Sequence, residues 1–254
     1  MSTAWFRFDE ALAPFLRRDR RGCGFAYRCA RAATLKNAVE ALGVPHTEVG
    51  ALRVNGEPAT LQRTVREGDT VEVSSREREA SEQEMGPDPI FLADAHLGGL
   101  ARFLRMLGFD TLHQNTYSDE QIRRIAEEEH RIVLSRDREL LKCREIARGC
   151  YVRALKAEAQ LREVTARFDL ARRARPFSLC LRCNLPLEPL DKARLGGLVP
   201  EKVLLAREGF SRCAGCDRVY WPGSHYARMR AALESAGLNN LAPIGAARAR
   251  KEQT

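Results

Sequence analysis

Four of the eight cysteines form two pairs of identical spacing, which is typical of a metal site. The candidate ligands are Cys180 and Cys183 in the sequence CLRC, and Cys213 and Cys216 in the sequence CAGC. Two turns that each present two thiolates can close a tetrahedral site and leave no position for water, which predicts a structural zinc ion. An iron centre is the alternative for a ligand set made of sulfur alone. The other cysteines are scattered, and their pattern does not favour a disulfide framework.

A second set of candidate residues consists of carboxylates near the ends of predicted strands. The set contains Asp94, Asp119, Asp137 and Glu139. The first follows an apolar strand at 90–93 directly, and the third follows a strand at 132–135 by two residues. Parallel α/β sheets bind ligands at the carboxyl ends of their strands, so we expect these side chains to share one edge. Carboxylates that lie together repel unless cations neutralise them, and oxygen ligands suit Mg²⁺ or Mn²⁺.

Such a metal site predicts phosphodiester hydrolysis, because bound divalent ions stabilise the attacking and leaving oxygens without a protein nucleophile. Each carboxylate also has a structural interpretation. Asp94 could cap a helix that begins near Leu97, and Asp119 favours a helix N-terminus through the helix dipole. Asp137 and Glu139 alternate with arginines, as in surface ion pairs. The joint placement of the four carboxylates favours the metal site over these separate roles.

The first 75 residues predict a small α+β unit. Alternating apolar and polar side chains predict strands at 5–8 and 25–29, and Thr34 is a candidate N-cap for the helix that follows. An Asn-Gly turn at 55–56 and a turn before TVEV predict two more strands. This order resembles the ubiquitin-like β-grasp fold of small sulfur-carrier proteins. Those carriers end in Gly-Gly, which this chain lacks at the corresponding point, so a binding or scaffolding role is predicted instead.

The rest of the chain divides by composition into four parts. Residues 76–89 combine charges of both signs with Gly and Pro and few apolar side chains, which predicts a linker. Residues 90–172 alternate strand and helix patterns in a β-α-β-α-β order, which predicts an α/β domain with a parallel sheet. A ribbon around the cysteine pairs is expected at 173–230, and residues 231–254 form a tail to which we assign no function.

The overall composition indicates a folded chain with a basic surface. Hydrophobic residues make up 44% and charged residues 30%, which argues against a disordered or collagen-like chain. No apolar stretch is long enough to span a membrane, and the start does not resemble a signal peptide, so the cytoplasm is the expected compartment. The net charge is +8, and arginine accounts for most of the excess. This balance favours a nucleic-acid partner, although arginine usage in a GC-rich genome would give the same composition.

A family resemblance follows from three consecutive stretches of sequence. FLADAHLGGLARFLRMLGFDT, then SDEQI and then IVLSRDREL resemble the PIN-like nuclease fold. More specifically, the chain is similar to the Mut-seven C-terminal RNase family, in which a PIN-like domain carries a zinc ribbon and is often preceded by a ubiquitin-like domain. All three parts occur here in that order, so the resemblance covers nearly the whole chain.

The resemblance also implies roles for individual residues. Asp94 corresponds to the first PIN carboxylate, Asp119 to the acid at a helix start, and Asp137 to the acid of the Ser/Thr-x-Asp segment. Glu139 matches a following acidic position, and Ser135 is expected to orient Asp137 through its hydroxyl. The number of metal ions stays open. The candidate phosphate contacts are Arg102, Arg105 and Arg136.

We therefore expect a metal-dependent ribonuclease with structural zinc and catalytic Mg²⁺ or Mn²⁺. RNA is the expected partner, with DNA open as a second substrate, and the ubiquitin-like domain is a candidate surface for a protein partner. The alternative is a non-catalytic adaptor that binds RNA or protein through a PIN-like domain and a zinc ribbon. A cleavage assay with added metal distinguishes the two hypotheses.

Overall fold

The computed structural model describes residues 1–76, 88–235 and 237–238. The chain divides into two units, each built from two stretches of sequence. Of the described residues, the first unit holds 1–76 with Tyr117–Tyr151, and the second holds 88–116 with those from Val152 onward. Within these described ranges, no helix is both long and apolar enough to cross a membrane.

A five-stranded mixed sheet with one helix forms the N-terminal part of the first unit. Its elements are β1 (Ser2–Phe8), β2 (Phe25–Cys29), α1 (Leu35–Ala41), β3 (Val49–Val54), β4 (Glu57–Ala59) and β5 (Thr70–Ser75). The strand order is β2-β1-β5-β3-β4, in which β1 and β5 are parallel and the other pairs are antiparallel. The strands and the helix predicted from the sequence are all present. The short strand β4 was not predicted. It lies directly after the predicted Asn-Gly turn.

Local hydrogen bonds and turn geometry explain these element boundaries. The Thr34 hydroxyl accepts a hydrogen bond from the Asn37 backbone N–H, and the Asn37 side chain accepts one from the Thr34 N–H, which closes a capping box. Asn55 and Gly56 have φ angles of 56° and 86°. A type I′ hairpin turn requires positive φ at both central positions, so this pair fixes the β3–β4 hairpin.

The elements after the first sheet alternate between strands and helices. In chain order they are β6 (Phe91–Ala93), α2 (Gly98–Met106), β7 (Thr111–Leu112), α3 (Asp119–Glu129), β8 (Ile132–Ser135), α4 (Arg138–Leu141), β9 (Gly149–Tyr151), α5 (Ala157–Phe168), β10 (Leu187–Leu190), α6 (Glu201–Ala206), β11 (Phe210–Cys213), β12 (Val219–Tyr220) and α7 (Ser224–Ser235). The strands and helices predicted up to residue 135 are confirmed in type and order. Helix α5, strand β9 and the start of α7 have no counterpart in the sequence predictions.

In the first unit, helix α3 leads into a parallel pair of strands. Ser118 caps α3 by accepting a hydrogen bond from the Gln121 N–H, and the Gln121 side chain accepts one from the Ser118 N–H. His130 ends the helix in the left-handed conformation, with φ of 53°. The chain then enters β8, which pairs in parallel with β9. These two bonds form a capping box at the start of the helix.

In the second unit, a parallel pair and two packed helices form an α/β arrangement. Strand β6 pairs in parallel with β7, and α2 packs against α5. Gly108 ends the α2 segment with φ of 89°, and a Cβ at this position would lie 2.3 Å from the Arg175 carbonyl oxygen. Only glycine fits this close backbone approach without strain. Parallel strands that alternate with helices agree with the predicted α/β class.

A three-stranded antiparallel sheet, β10-β11-β12, carries the cysteine pairs. Its small core contains Leu195, Val199 and Phe210, and Trp221 packs against it. The linker predicted at 76–89 lies outside the described residues except at its ends, and so does most of the tail predicted at 231–254.

Candidate functional site

The four paired cysteines meet at one point of the second unit. The Sγ atoms of Cys180, Cys183, Cys213 and Cys216 all lie within 4.8 Å of one another. Among the described residues, this is the only group of three or more metal-ligating side chains that lie so close together. The cluster is placed as expected for a zinc ribbon.

Both cysteine pairs owe their geometry to the same local fold. The backbone N–H of Asn184 donates to the carbonyl of Cys180 at 2.9 Å, and that of Asp217 donates to the carbonyl of Cys213 at 2.9 Å. Asn184 and Asp217 adopt left-handed conformations, with φ of 64° and 58°. Asn and Asp tolerate this region better than other non-glycine residues, so the sequence favours two matching turns.

The pKa values of two thiols in this cluster are shifted in opposite directions. Burial raises the pKa of the Cys180 thiol, but hydrogen bonds outweigh burial and lower the pKa to about 6. The donors include the Tyr220 hydroxyl, at 3.2 Å from Sγ, and the Cys183 backbone N–H, at 3.3 Å. In contrast, a hydrogen bond with Cys216 and burial raise the pKa of Cys183 to about 12. Clustered thiols cannot all ionise without a cation, and a soft tetrahedral sulfur set fits zinc.

Asp94 lies in the second unit at the end of β6, where the sequence predicted it. Its half-buried side chain accepts a hydrogen bond from the Ala95 backbone N–H at 2.6 Å and caps a short helical turn, Ala95–Leu97. The capping role considered for Asp94 is therefore present. It is compatible with metal binding, because an ionised carboxylate offers about four acceptor positions.

Asp137 lies in the first unit between β8 and α4, and it caps α4. Its Oδ1 accepts hydrogen bonds from the backbone N–H groups of Glu139, at 2.7 Å, and Leu140, at 3.3 Å. The Asp137 backbone N–H donates to the hydroxyl of Ser135 at 2.9 Å. Ser135 is fully buried, so this bond ties the exposed Asp137 segment to the end of β8. The expected contact from the Ser135 hydroxyl exists, although it reaches the backbone of Asp137.

Asp119 and Glu139 lie in the same unit as Asp137, and all three side chains are exposed. Asp119 is the first residue of α3, and Glu139 forms an ion pair with Lys142 at 2.7 Å. Asp119, Asp137 and Glu139 do not approach one another closely enough to form a metal-ligating group like that of the cysteines. Asp94 belongs to the other unit, so a common site for the four carboxylates stays a prediction.

The charges of Asp119 and Asp137 both act on the thiol of Cys143. Burial raises the pKa of the Cys143 thiol, Arg123 acts in the opposite direction, and the charges of Glu145, Asp119 and Asp137 raise the pKa further. Asp119 and Asp137 therefore act on the same small region, although they are separated in sequence. The sequence analysis treated Cys143 as a scattered cysteine. Its position four residues after Glu139, one helical turn away, was the available signal.

The three arginines predicted to contact phosphate have different environments. Arg102 is exposed on α2, and Arg136 is exposed in the turn between β8 and α4. Arg105 is only 7% exposed, and its guanidinium donates to the carbonyls of Thr111, Leu181 and Arg182. These bonds give Arg105 a structural role, so of the three predicted arginines only Arg102 and Arg136 stay candidates for phosphate contact. The sequence contained a signal for this burial, because Arg105 follows Ala101 by about one helical turn and Ala101 lies on the apolar face of α2.

The residue after Asp137 contacts the N-terminal sheet domain within the first unit. The Arg138 guanidinium lies over the rings of Phe15, at 5.0 Å, and Tyr151, at 5.5 Å. It also donates a hydrogen bond to the Pro14 carbonyl at 3.0 Å. The contacts of Arg138 with Pro14 and Phe15 could not be predicted from the sequence, because these partners are far apart along the chain.

Two buried polar side chains add to the same contact. Glu48 is 2% exposed and accepts a hydrogen bond from the Tyr151 backbone N–H at 2.9 Å. His46 is hydrogen-bonded to Glu40 at 2.8 Å and to the Ile146 carbonyl at 2.9 Å. Buried polar groups are costly without partners, so these bonds make the sheet domain and the 117–151 stretch depend on each other.

The fold and the cysteine cluster together define an α/β protein with an N-terminal β-grasp domain and four clustered cysteines that could hold a metal ion. The family model described as the Mut7-C RNAse domain matches residues 89–233, and the model described as Mut7-C ubiquitin matches residues 1–81. The chain belongs to the Mut7-C family, with a ubiquitin-like domain at its N-terminus. Comparisons with curated proteins and with solved structures give no match. The resemblance stated from the sequence is therefore confirmed, and the RNAse-domain match indicates a nuclease-like role.

Proposed function

We propose that this protein is a metal-dependent ribonuclease with a PIN-like catalytic domain. The observation that carries the proposal is the RNAse-domain match to residues 89–233, a range that contains all four predicted carboxylates. The proposed ligands of Mg²⁺ or Mn²⁺ are Asp94, Asp119, Asp137 and Glu139. The shared effect of Asp119 and Asp137 on the Cys143 thiol supports the grouping of two of these ligands.

The proposed chemistry is hydrolysis of RNA phosphodiester bonds. A bound divalent ion would lower the pKa of a water molecule and stabilise charge on the scissile phosphate. The chain's own residues hold the ligands in position: the α4 cap fixes one oxygen of Asp137, and Ser135 fixes its backbone. Arg102 and Arg136 are exposed and are proposed to contact RNA phosphates.

The remaining parts of the chain have supporting roles in this proposal. The four clustered cysteines would hold a structural zinc ion, since four sulfur ligands leave no open position for a substrate. The proposed domain boundaries are 1–75 for the ubiquitin-like domain, 90–172 for the PIN-like domain and 173–230 for the ribbon. The ubiquitin-like domain is also a candidate surface for a protein partner.

The proposal is tested by metal-dependent cleavage of labelled RNAs and DNAs. We expect the parent protein to cleave RNA with Mn²⁺ or Mg²⁺, and the Asp137→Asn variant to lose at least about 100-fold in rate, as for loss of a group that stabilises transition-state charge. Asparagine is a good N-cap, so the variant should keep the α4 cap and the fold. The Asp94→Asn variant should behave in the same way.

Glu57→Gln provides the matched control, because it also replaces a carboxylate by an amide, at an exposed position of β4. Its rate should equal that of the parent. Full activity of Asp137→Asn would contradict the proposal. Absence of cleavage by the parent, together with retained RNA binding, would favour the adaptor hypothesis.

A further inference from the structure

A groove crosses the surface of the second unit beside the zinc ribbon. It consists of two cavities of about 670 Å³ and about 530 Å³. Arg102 and Met229 line both cavities, so the two are adjacent. The groove is therefore large enough for several units of an extended ligand.

The charged side chains described as lining the groove are all arginines. Arg102, Arg182 and Arg218 line the larger cavity, and Arg228 joins Arg102 in the smaller one. All four side chains are exposed. Among the described residues that line the two cavities, none is acidic. A concave surface with positive charge alone attracts a polyanion.

Aromatic rings line the groove together with the arginines. The rings of Phe177 and Tyr226 are 4.2 Å apart between centroids, and Trp221 lines the same cavity. All three are half-buried, so each presents part of its surface to the groove. Aromatic side chains on a basic surface are the usual platform for unpaired bases.

The backbone of Phe177 adopts a conformation that bulky residues disfavour. Its φ is 61°, a conformation that is rare for a bulky residue. The Phe177 backbone N–H donates to the Met106 carbonyl at 2.8 Å, which anchors this conformation to the end of α2. Strained residues of this kind cluster where ligands bind.

We propose that this groove binds single-stranded RNA, with bases stacked on Tyr226 and Trp221 and phosphates held by the arginines. The inference rests on the RNA-directed function proposed above, for which it names the surface that holds the strand. A protein partner with an acidic segment would satisfy the charges, but it would leave the aromatic platform unused. RNA uses both features.

The test is fluorescence anisotropy with a labelled oligouridine of about ten nucleotides. Binding is measured in the zinc-loaded Asp137→Asn background without added divalent metal, so cleavage does not interfere. We expect Arg182→Gln and Arg218→Gln each to weaken binding and to reduce the slope of log affinity against log salt by about 0.7, the value for one phosphate contact on a single strand. Tyr226→Ala should weaken binding about tenfold and leave the salt slope unchanged, because it removes stacking and no charge.

Arg172→Gln is the matched control, since it removes a highly exposed arginine of the same unit outside the groove. It should bind like the parent. Equal losses in Arg172→Gln and the groove variants, or no loss in the groove variants, would overturn the proposal. Full competition by polyglutamate would also overturn it.

The result of this binding test can be distinguished from the result of the cleavage test. If the parent cleaves RNA and Asp137→Asn does not, while the groove variants bind normally, the groove proposal alone fails. If the groove variants lose binding but the parent never cleaves RNA, the catalytic proposal alone fails. Zinc content and melting temperature of each variant confirm that it is folded.

Discussion

A buried cluster of polar side chains surrounds Asp69 in the N-terminal sheet domain. Asp69 is 4% exposed, and its carboxylate accepts hydrogen bonds from Arg63, at 2.8 Å, and from the Asn55 side chain, at 3.0 Å. The Arg66 backbone N–H adds a third donor at 2.9 Å. Burial raises the pKa of Asp69, but these donors outweigh burial and lower the pKa below its usual value. The carboxylate thus joins the β3–β4 turn to the start of β5.

We predict that Asp69→Asn destabilises the protein by about 3 kcal/mol at neutral pH, because it leaves the buried Arg63 contact without its charge. Since the folded pKa of Asp69 is lowered, its contribution is fully present above the unfolded pKa of about 4 and is lost as pH falls further. The stability difference between variant and parent should therefore shrink below about pH 4. Chemical denaturation at several pH values measures it.

Asp19→Asn serves as the control, because Asp19 pairs with Arg17 while both side chains are largely exposed. Exposed pairs contribute little, so this variant should match the parent at every pH. An Asp69→Asn variant as stable as the parent at neutral pH would show that the buried cluster is not stabilising.

At the scale of elements, the ribbon is the part whose stability we expect to depend most on a bound ion. Its sheet has only three strands, and its core contains only Leu195, Val199 and Phe210 with a few half-buried neighbours. So small a core supplies little hydrophobic stabilisation, which in such folds is commonly provided by metal. The paired cysteine turns are the natural place for that contribution.

We predict that the purified protein contains zinc and that Cys213→Ser loses it. Loss of one buried sulfur ligand should open the ribbon, which limited proteolysis would detect as new cleavage within 173–230. Chelation of the parent should give the same cleavage pattern. Elemental analysis measures the metal directly.

Cys23→Ser is the control for this experiment, because Cys23 is exposed and lies far from the cluster in sequence. It should retain the metal content of the parent. Iron in place of zinc, or full zinc content in Cys213→Ser, would contradict the assignment.

At the scale of the whole molecule, the units do not follow the order of the sequence. The stretch Tyr117–Tyr151, which lies inside the RNAse-domain match, belongs to the same unit as the N-terminal sheet. The contacts of Arg138, Glu48 and His46 explain this grouping. The ubiquitin-like domain therefore supports the segment that carries Asp137.

We predict that a chain without residues 1–76 loses cooperative folding of the 117–151 stretch. Removal of the sheet leaves the Tyr151 N–H and the Ile146 carbonyl without their partners and exposes the rings that pack on Phe15. Hydrogen exchange should show faster exchange at β8 and β9 than in the full chain. Equal protection in both chains would mean that the two parts fold independently.

The sequence alone determined the features that depend on near neighbours along the chain. The capping boxes at Thr34 and Ser118, the Asn-Gly turn and the paired cysteine turns each need only a few adjacent residues. Their residue types favour one local geometry for steric and hydrogen-bonding reasons. This explains why the predicted elements and the cysteine cluster are present where expected.

The tertiary structure decided which side chains became buried and which segments packed together. Arg102 and Arg105 are three residues apart on one helix, yet one is exposed in the groove and the other is buried against the ribbon. Likewise, Arg138 resembles its neighbour Arg136 in sequence but lies over two aromatic rings. Burial depends on contacts between residues distant along the chain, and a local pattern does not contain that information.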